Sequence, residues 1–431
     1  RLFNDKSWHI GVITSLALVA LLLTGSRAGF LGLIAGFGTL SLLGLLIFKN
    51  GKLWFSRIVF GLVCLGLLVV FSPLSERMQI NEENLRSLNS RVEIWKASIP
   101  LLKENIAFGS GQDSFQIAFS PFVPDEINKI EEYGRMTDRA HNNLIQLLSD
   151  YGLLGLIALI WFFKILLSLL HEKWTKLAKK EKVNVIGVLS SFVAIGTAHL
   201  FGFSTTVHIM VMTFYLAYLC SLDAKMTKSL KLKESKMFLK LAIIFFCSTS
   251  ILIENVFPVY ADYRMAKSIE AIEKNDAQNT VQNLVEATIW NPNQDYYYYV
   301  LASVFSQLEE KGKAIEAVEK AGVFSDREDY FYYFSKGKIL ARDCDKECDL
   351  ANQQFLKASS LAPAYPKNWL EWGKALIEEG DCESGMVKLE KYLQLLPDDY
   401  KYPGTEKYRL FYKHNPDFDE VFAYKSFCEQ K

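Results

Sequence analysis

The chain holds 431 residues, half of them hydrophobic, with 48 Lys and Arg balanced by 48 Asp and Glu. Zero net charge removes the global attraction expected of a nucleic-acid binder, and the length suffices for two domains of roughly 100–200 residues each. The apolar residues are unevenly spread: runs of about 20, long enough to cross a hydrocarbon core, recur up to residue 257 and then stop. The sequence therefore predicts an all-α protein, with a polytopic membrane domain over residues 1–257 and a helical-repeat domain over 258–431. It begins at Arg1, just before an apolar run, and we expect further spans upstream in a longer protein.

In chain order the apolar runs predict spans over 8–25, 28–48, 53–72, 143–170, 184–201, 203–221 and 238–257. The Lys49–Lys52 turn, the His171–Lys182 connection and the Asp223–Lys240 connection are short and rich in lysine. Positive charge beside a span resists translocation, so each belongs in the cytoplasm, and one orientation satisfies all of them. The Thr24–Gly29 turn, the 73–142 connection, the Ala198–Phe203 turn and everything after Pro258 then face outward.

That topology gathers chemistry on one face. Arg27 sits in the first outward turn beside hydrocarbon, where a charge is either an interfacial anchor or a ligand contact. Its small neighbours Gly25, Ser26, Ala28 and Gly29 leave room for a ligand. The 73–142 connection is too long for a plain link. It includes Ser90–Ala97, spaced as an amphipathic interfacial helix bearing Arg91 and Trp95. A glycine-punctuated turn over 108–115 follows. The connection ends in Thr137–Asn143, which sets His141 at the mouth of the fourth span, as a polar cap or as a base. Two arginines suit a diphosphate on which charge grows as a sugar leaves, because the guanidinium fork binds phosphate oxygens bidentately. A histidine, with an ordinary pKa of about 6.5, can take the proton of an attacking hydroxyl. Arg27 and Arg91 are thus expected to hold a leaving group and His141 to act as base, with Arg139, Asn142 and Trp95 touching substrate. The sequence has no HExxH and no CxxC pair, and its outer loop has no DxD-type pair, so neither metal nor other cofactor is expected.

The ordered set Leu23-Thr24-Gly25-Ser26-Arg27-Ala28-Gly29, Ser90-Arg91-x-x-x-Trp95, Phe108-Gly109-Ser110-Gly111, Ala140-His141-Asn142-Asn143-Leu144 and Tyr151-Gly152-Leu153-Leu154-Gly155-Leu156 resembles the O-antigen ligase/polymerase superfamily over roughly residues 8–222. That superfamily includes O-antigen ligases, O-antigen polymerases and bacterial protein O-oligosaccharyltransferases. The resemblance implies the C-terminal part of a GT-C-like glycosyltransferase of polysaccharide biosynthesis, in the cytoplasmic membrane of a bacterial cell envelope. It also implies an undecaprenyl-diphosphate-linked glycan donor, metal-independent transfer, inversion at the anomeric carbon, and catalytic roles for Arg27, Arg91 and His141. The Ala198–Phe203 stretch resembles a further family turn, but glycine stands where an aspartate is common, so no role is carried over to it. The acceptor stays open among glycan, lipid and protein.

After residue 258 a period of about 34 residues marks tetratricopeptide-type helix pairs. It is clearest at Trp369, Trp372, Gly373, Leu376, Gly385, Leu389, Tyr392 and Pro397, and repeats at Tyr333, Gly337, Leu340, Ala351, Phe355, Ala358 and Pro363. Such an array offers a concave face to a protein partner or an acceptor, although most of its aromatics are expected to pack between helices. Cys344, Cys348 and Cys382 fall at turns, where free thiols or a disulfide both fit. The competing reading is a non-enzymatic, membrane-anchored repeat scaffold for envelope assembly. In either reading membrane lipid is a partner and nucleic acid is not.

Overall fold

A computed structural model describes residues 8–48, 50–71, 82–130, 137–222, 252–325, 329–342, 347–397 and 417–430, with a few single residues besides. All regular elements among the described residues are helical. The first nine helices are α1 (Trp8–Thr24), α2 (Arg27–Ile47), α3 (Gly51–Val70), α4 (Glu82–Glu104), α5 (Phe115–Phe119), α6 (Ile127–Ile130), α7 (Asn143–Lys173), α8 (Lys179–His199) and α9 (Thr206–Ser221). Helices α2 and α8, and α7 with the turn that extends it to Lys176, are long and apolar enough to cross a membrane; Val12–Thr24 and α9 are shorter apolar helices. Leu16, Leu46, Phe60, Ile157 and Trp161 are each more than half exposed along these helices, a surface suited to lipid rather than water. This is a membrane protein. The expected 238–257 span and the Asp223–Lys240 connection lie largely outside the described residues; Leu252–Val256 is a short π-helical piece.

Contacts divide the chain into two compact units, Arg1–Ala118 with Thr137–Ser229, and Phe119–Met136 with Leu230–Lys431. In the first unit, α2 packs on α8 through small residues. A Cβ on Gly32 would stand 2.5 Å from the Ala194 carbonyl oxygen, and one on Gly36 would stand 2.8 Å from the Ala194 methyl and 3.2 Å from the Ser190 oxygen. Close backbone approach replaces hydrophobic burial as the cohesive term between helices in lipid. Because Gly32 also faces Ala198, later residues of α2 meet earlier residues of α8, so the two helices run antiparallel.

Helix α7 is broken at Gly152, whose φ of 61° and ψ of −161° lie outside the helical region. The break frees backbone groups that the chain just after α4 satisfies. Ser110 N donates to Ser149 O at 2.7 Å, Gly111 N to Asp150 O at 3.1 Å, Leu153 N to Ile106 O at 2.8 Å and Leu154 N to Ala107 O at 3.2 Å. The glycine turn at 108–111 and the Gly152 segment are thus two halves of one backbone joint.

In the second unit the helices are α10 (Phe257–Glu273), α11 (Ala277–Trp290), α12 (Asp295–Gln307), α13 (Lys311–Phe324), α14 (Tyr330–Ala341), α15 (Cys348–Leu361), α16 (Pro366–Glu378), α17 (Cys382–Leu395) and α18 (Asp417–Glu429). Helices α10 to α17 pack in consecutive pairs. Three of the pair turns are built alike. Asn275, Glu309 and Gly380 all have positive φ, and the next residue's N–H reaches back across the turn: Asp276 to Ala271 O, Glu310 to Phe305 O and Asp381 to Leu376 O, each at 2.9 Å. This repeated helix stop is the Schellman pattern. Small residues stand at the crossings: a Cβ on Gly373 would meet Leu389 at 2.8 Å, one on Gly385 would meet Ile377 at 2.4 Å, and one on Gly337 would meet Phe355 at 3.0 Å. Most of the aromatic runs are interior, with Tyr297, Tyr299, Tyr330, Tyr332 and Phe334 buried, whereas Tyr296 is exposed. A groove of about 690 Å³ opens over α12, α14 and α16, lined by Tyr296, Phe331, Lys338, Arg342, Lys374 and Glu378 among others. Cys382 and Cys428 form a disulfide that ties α17 to α18, and Cys348 is disulfide-bonded as well.

The stretch 119–136 also belongs to this unit. The short helical turn Ser120–Phe122 packs on α15, the buried Asn128 donates to Ala364 O at 2.7 Å, and Lys391 pairs with Asp125 at 2.8 Å.

Asp329 caps α14, accepting from Phe331 N at 3.0 Å. Burial, with Asp295 nearby, pushes its carboxyl up to about 6. A carboxyl raised in the folded state favours folding below its unfolded value near 3.8 and loses that contribution as pH climbs through 6. The shift corresponds to about 3 kcal/mol at most. Asp329→Asn keeps a capping oxygen without the charge. It is therefore expected to raise the repeat unit's melting temperature at pH 7 and to flatten its pH dependence between 4 and 7, as followed by thermal melts monitored by circular dichroism.

Candidate active site

The first turn of α2 begins with turn chemistry. Gly25, at φ 59°, closes α1 in the left-handed region, and Ser26 caps α2 by accepting from Gly29 N at 3.1 Å. A Cβ on Gly29 would meet Leu21 at 2.8 Å. The small residues around Arg27 thus have structural duties of their own. Arg27 is the first residue of α2 and is exposed. It precedes Gly32 by about 7 Å along the axis, which sets it at the end of the α2–α8 pair where α8 finishes at His199.

At that same end the turn 199–205 receives the other candidates. Arg91 Nη1 donates to Phe201 O at 2.8 Å, and the Trp95 ring lies 6.4 Å from the Phe201 ring. The His141 ring meets Phe203 edge-on at 5.9 Å, and the Arg139 guanidinium sits over the same ring at 5.2 Å. Helix α4 presents Arg91 and Trp95 beside a buried stripe of Ser90, Ile94, Ser98 and Leu101, spaced three to four residues apart.

His141 is held in an uncommon conformation, with φ at 51°. Its neighbours enforce this. Ala140 is fully buried and pinned on both sides: its N–H donates to Gln146 Oε1 at 3.0 Å and its carbonyl accepts from Trp95 Nε1 at 2.9 Å. Asn142 caps α7, its side-chain oxygen accepting from Leu144 N at 2.9 Å and Ile145 N at 3.2 Å. The Trp95 indole N–H and the Asn142 carboxamide oxygen, expected from sequence to meet substrate, are therefore engaged in fixing His141. Arg139 lies within 3.9 Å of Asp113 and 3.8 Å of Asp138.

Arg91, Trp95, Arg139 and His141 thus converge on one turn, and Arg27 reaches the same end by helix register. The sequence singled out the five but not their hub. Phe201 acts through its backbone carbonyl and Phe203 through a ring face, and neither use leaves a mark on residue spacing. Among the described residues, no three His, Cys, Asp or Glu side chains group as a metal site would require. An imidazole and two guanidiniums gathered on one turn are the groups with which a hydroxyl could be deprotonated while a growing negative charge is stabilised.

Residues 12–160 match the family model of the O-antigen ligases, a span that contains Arg27, Arg91, Trp95, Arg139, His141 and Asn142. A comparison with curated proteins gave no match. Solved structures similar to the chain include MamA, at 18% identity over 36% of this chain and 87% of MamA, with a TM-score of 0.29. A second is residues 41 to the end of MamA from Desulfovibrio magneticus RS-1, at 16% identity over 39% of this chain and 93% of that one, with a TM-score of 0.29. A third is YrrB, described as a TPR protein with an unusual peptide-binding site, at 14% identity over 54% of this chain and 93% of YrrB, with a TM-score of 0.27. The repeat assignment rests on the recurring helix pairs and turns, not on these likenesses.

Proposed function

We propose, from the match of residues 12–160 to the O-antigen ligase family model, that this membrane protein transfers a glycan from an undecaprenyl-diphosphate carrier to an acceptor hydroxyl at the outer face of a bacterial cytoplasmic membrane. The observation that carries the reading is His141: an imidazole kept at positive φ by a doubly pinned neighbour and a helix cap, with Arg91 and Arg139 on the same turn. What supports the reading is this pinning rather than the dihedral itself, since Asn275 and Glu309 adopt a similar φ at ordinary helix stops. In the reaction, the imidazole accepts the acceptor's O–H proton while the oxygen bonds to the anomeric carbon from the face opposite the phosphate. The bond from that carbon to the phosphate oxygen breaks, and its electron pair leaves on the diphosphate. Arg91 and Arg27 meet that added charge, and Arg139 binds the donor close by.

Two further features support the orientation. The lysine-rich His171–Lys182 connection follows α7 at the end away from His141. The Cys382–Cys428 disulfide suits a repeat domain in an oxidising compartment. The acceptor is a glycan, lipid or protein hydroxyl, and the groove over α12, α14 and α16 is where the repeat domain would hold it or a partner protein.

The test is transfer by the purified full chain, in lipid, from a radiolabelled undecaprenyl-diphosphate oligosaccharide, with EDTA present. Three acceptors are compared: a core-sugar lipid, a second lipid-linked glycan and a serine-rich peptide. Label is expected on one acceptor class despite the chelator; no transfer to any of the three would overturn the reading.

A further inference from the structure

The turn 199–205 contributes no arginine and no base, yet four candidate residues lean on it, so whatever fixes the turn fixes the site. Its fastening is a reciprocal pair. Asn143 Nδ2 donates to Ser204 Oγ at 2.5 Å, and Ser204 N donates to Asn143 Oδ1 at 3.2 Å. One carboxamide thus grips both the hydroxyl and the backbone of one residue, which fixes direction as well as distance. Behind it, Ser204 Oγ lies 3.3 Å from His199 Nδ1. His199 is buried and packs edge-on against His208 at 4.7 Å. His208 Nδ1 in turn bonds Thr205 Oγ1 at 2.8 Å. The far side of the turn is therefore backed by two imidazoles.

We propose that Asn143 and Ser204 form a positioning clamp for glycan transfer. It docks the turn on the first residue of α7, two residues from His141. In doing so it sets the Phe203 ring against His141 and Arg139, and the Phe201 carbonyl against Arg91. The clamp touches no substrate; it holds in register Arg91 and His141, which lie about fifty residues apart in sequence. This inference rests on the glycan-transfer reading, and it extends that reading to the turn 199–205.

Losing the clamp should damage the chemical step more than binding, because a displacement of about 1 Å at a reacting group costs on the order of 100-fold in rate. In the transfer assay with the undecaprenyl-diphosphate oligosaccharide, Asn143→Ala and Ser204→Ala are each expected to lower kcat by roughly 10- to 100-fold with the donor KM within about twofold of wild type. The double variant should be no worse than the poorer single one, because the two side chains act as one unit. Ser204→Thr, which keeps the hydroxyl, should recover most of the loss. Hydrogen exchange over residues 137–145 should quicken in both alanine variants and not in the threonine one. A raised KM with unchanged kcat, additive losses, or unaltered exchange at 137–145 would each overturn the clamp. Absence of transfer by the wild-type chain would instead sink the glycan-transfer reading, and the exchange comparison would still decide whether Asn143 and Ser204 hold His141 in place.

Discussion

Replacing His141 with alanine is expected to lower glycan transfer by about 100-fold or more, the range in which a positioned general base contributes, while the protein inserts and accumulates as wild type does. Alanine at φ 51° bears the same backbone strain as histidine, so the variant isolates the imidazole from the conformation. His141→Gly sharpens the contrast. Glycine adopts the left-handed region freely, relieving about 1 kcal/mol, and this variant should be at least as stable as His141→Ala and equally inactive. Turnover and detergent-solubilised melting temperatures measured on both would separate the two effects. A glycine variant that regained transfer would show that residue 141 serves only to bend the chain.

The largest structural effect is expected at Gly152. Its φ and ψ fall where side-chain-bearing residues are essentially not found, and a Cβ there would stand 2.5 Å from the carbonyl carbon and oxygen of Ala107 and 2.6 Å from Gly109 N. Those atoms are backbone on the far half of the joint and cannot swing aside. Gly152→Ala should cost about 3 kcal/mol or more, part the 106–111 segment from α7, and remove transfer together with folded protein. Gly38→Ala is the matched control: it lies inside α2 with nothing within 4 Å of the added carbon, and a helical alanine there should be neutral or slightly stabilising. Folded yield and proteolysis within the 105–111 segment would measure the difference.

His141 and Gly152 also mark how far the order of residues discloses the architecture. Apolar run lengths located α2, α7 and α8, since helix length in lipid follows from membrane thickness. The repeat period located Gly373, Gly385 and Leu389 at a helix crossing, since only small residues admit that approach. The break in α7 was not legible: a glycine inside an apolar run of span length looks like a tolerated small residue, and its meaning depends on the turn at Gly109, some forty residues away. Arg27, Arg91 and His141 were legible as residue types in the connections between apolar runs. The Phe201 carbonyl, the Ser204 clamp and the packing of α2 on α8 were not, because each depends on partners that are remote in sequence and on backbone atoms that every residue possesses.

The stretch from Phe119 to Met136 has a consequence for how this protein could change over time. The chain passes between its two compact units three times, not once, and the short excursion buries Ile127 and Asn128 in the repeat unit less than fifteen residues before His141. An exchange of genetic material that swapped the array at a single breakpoint after residue 258 would leave Asp125 and Asn128 facing a stranger. A joint that keeps these contacts has to carry residues 119–130 along with the array.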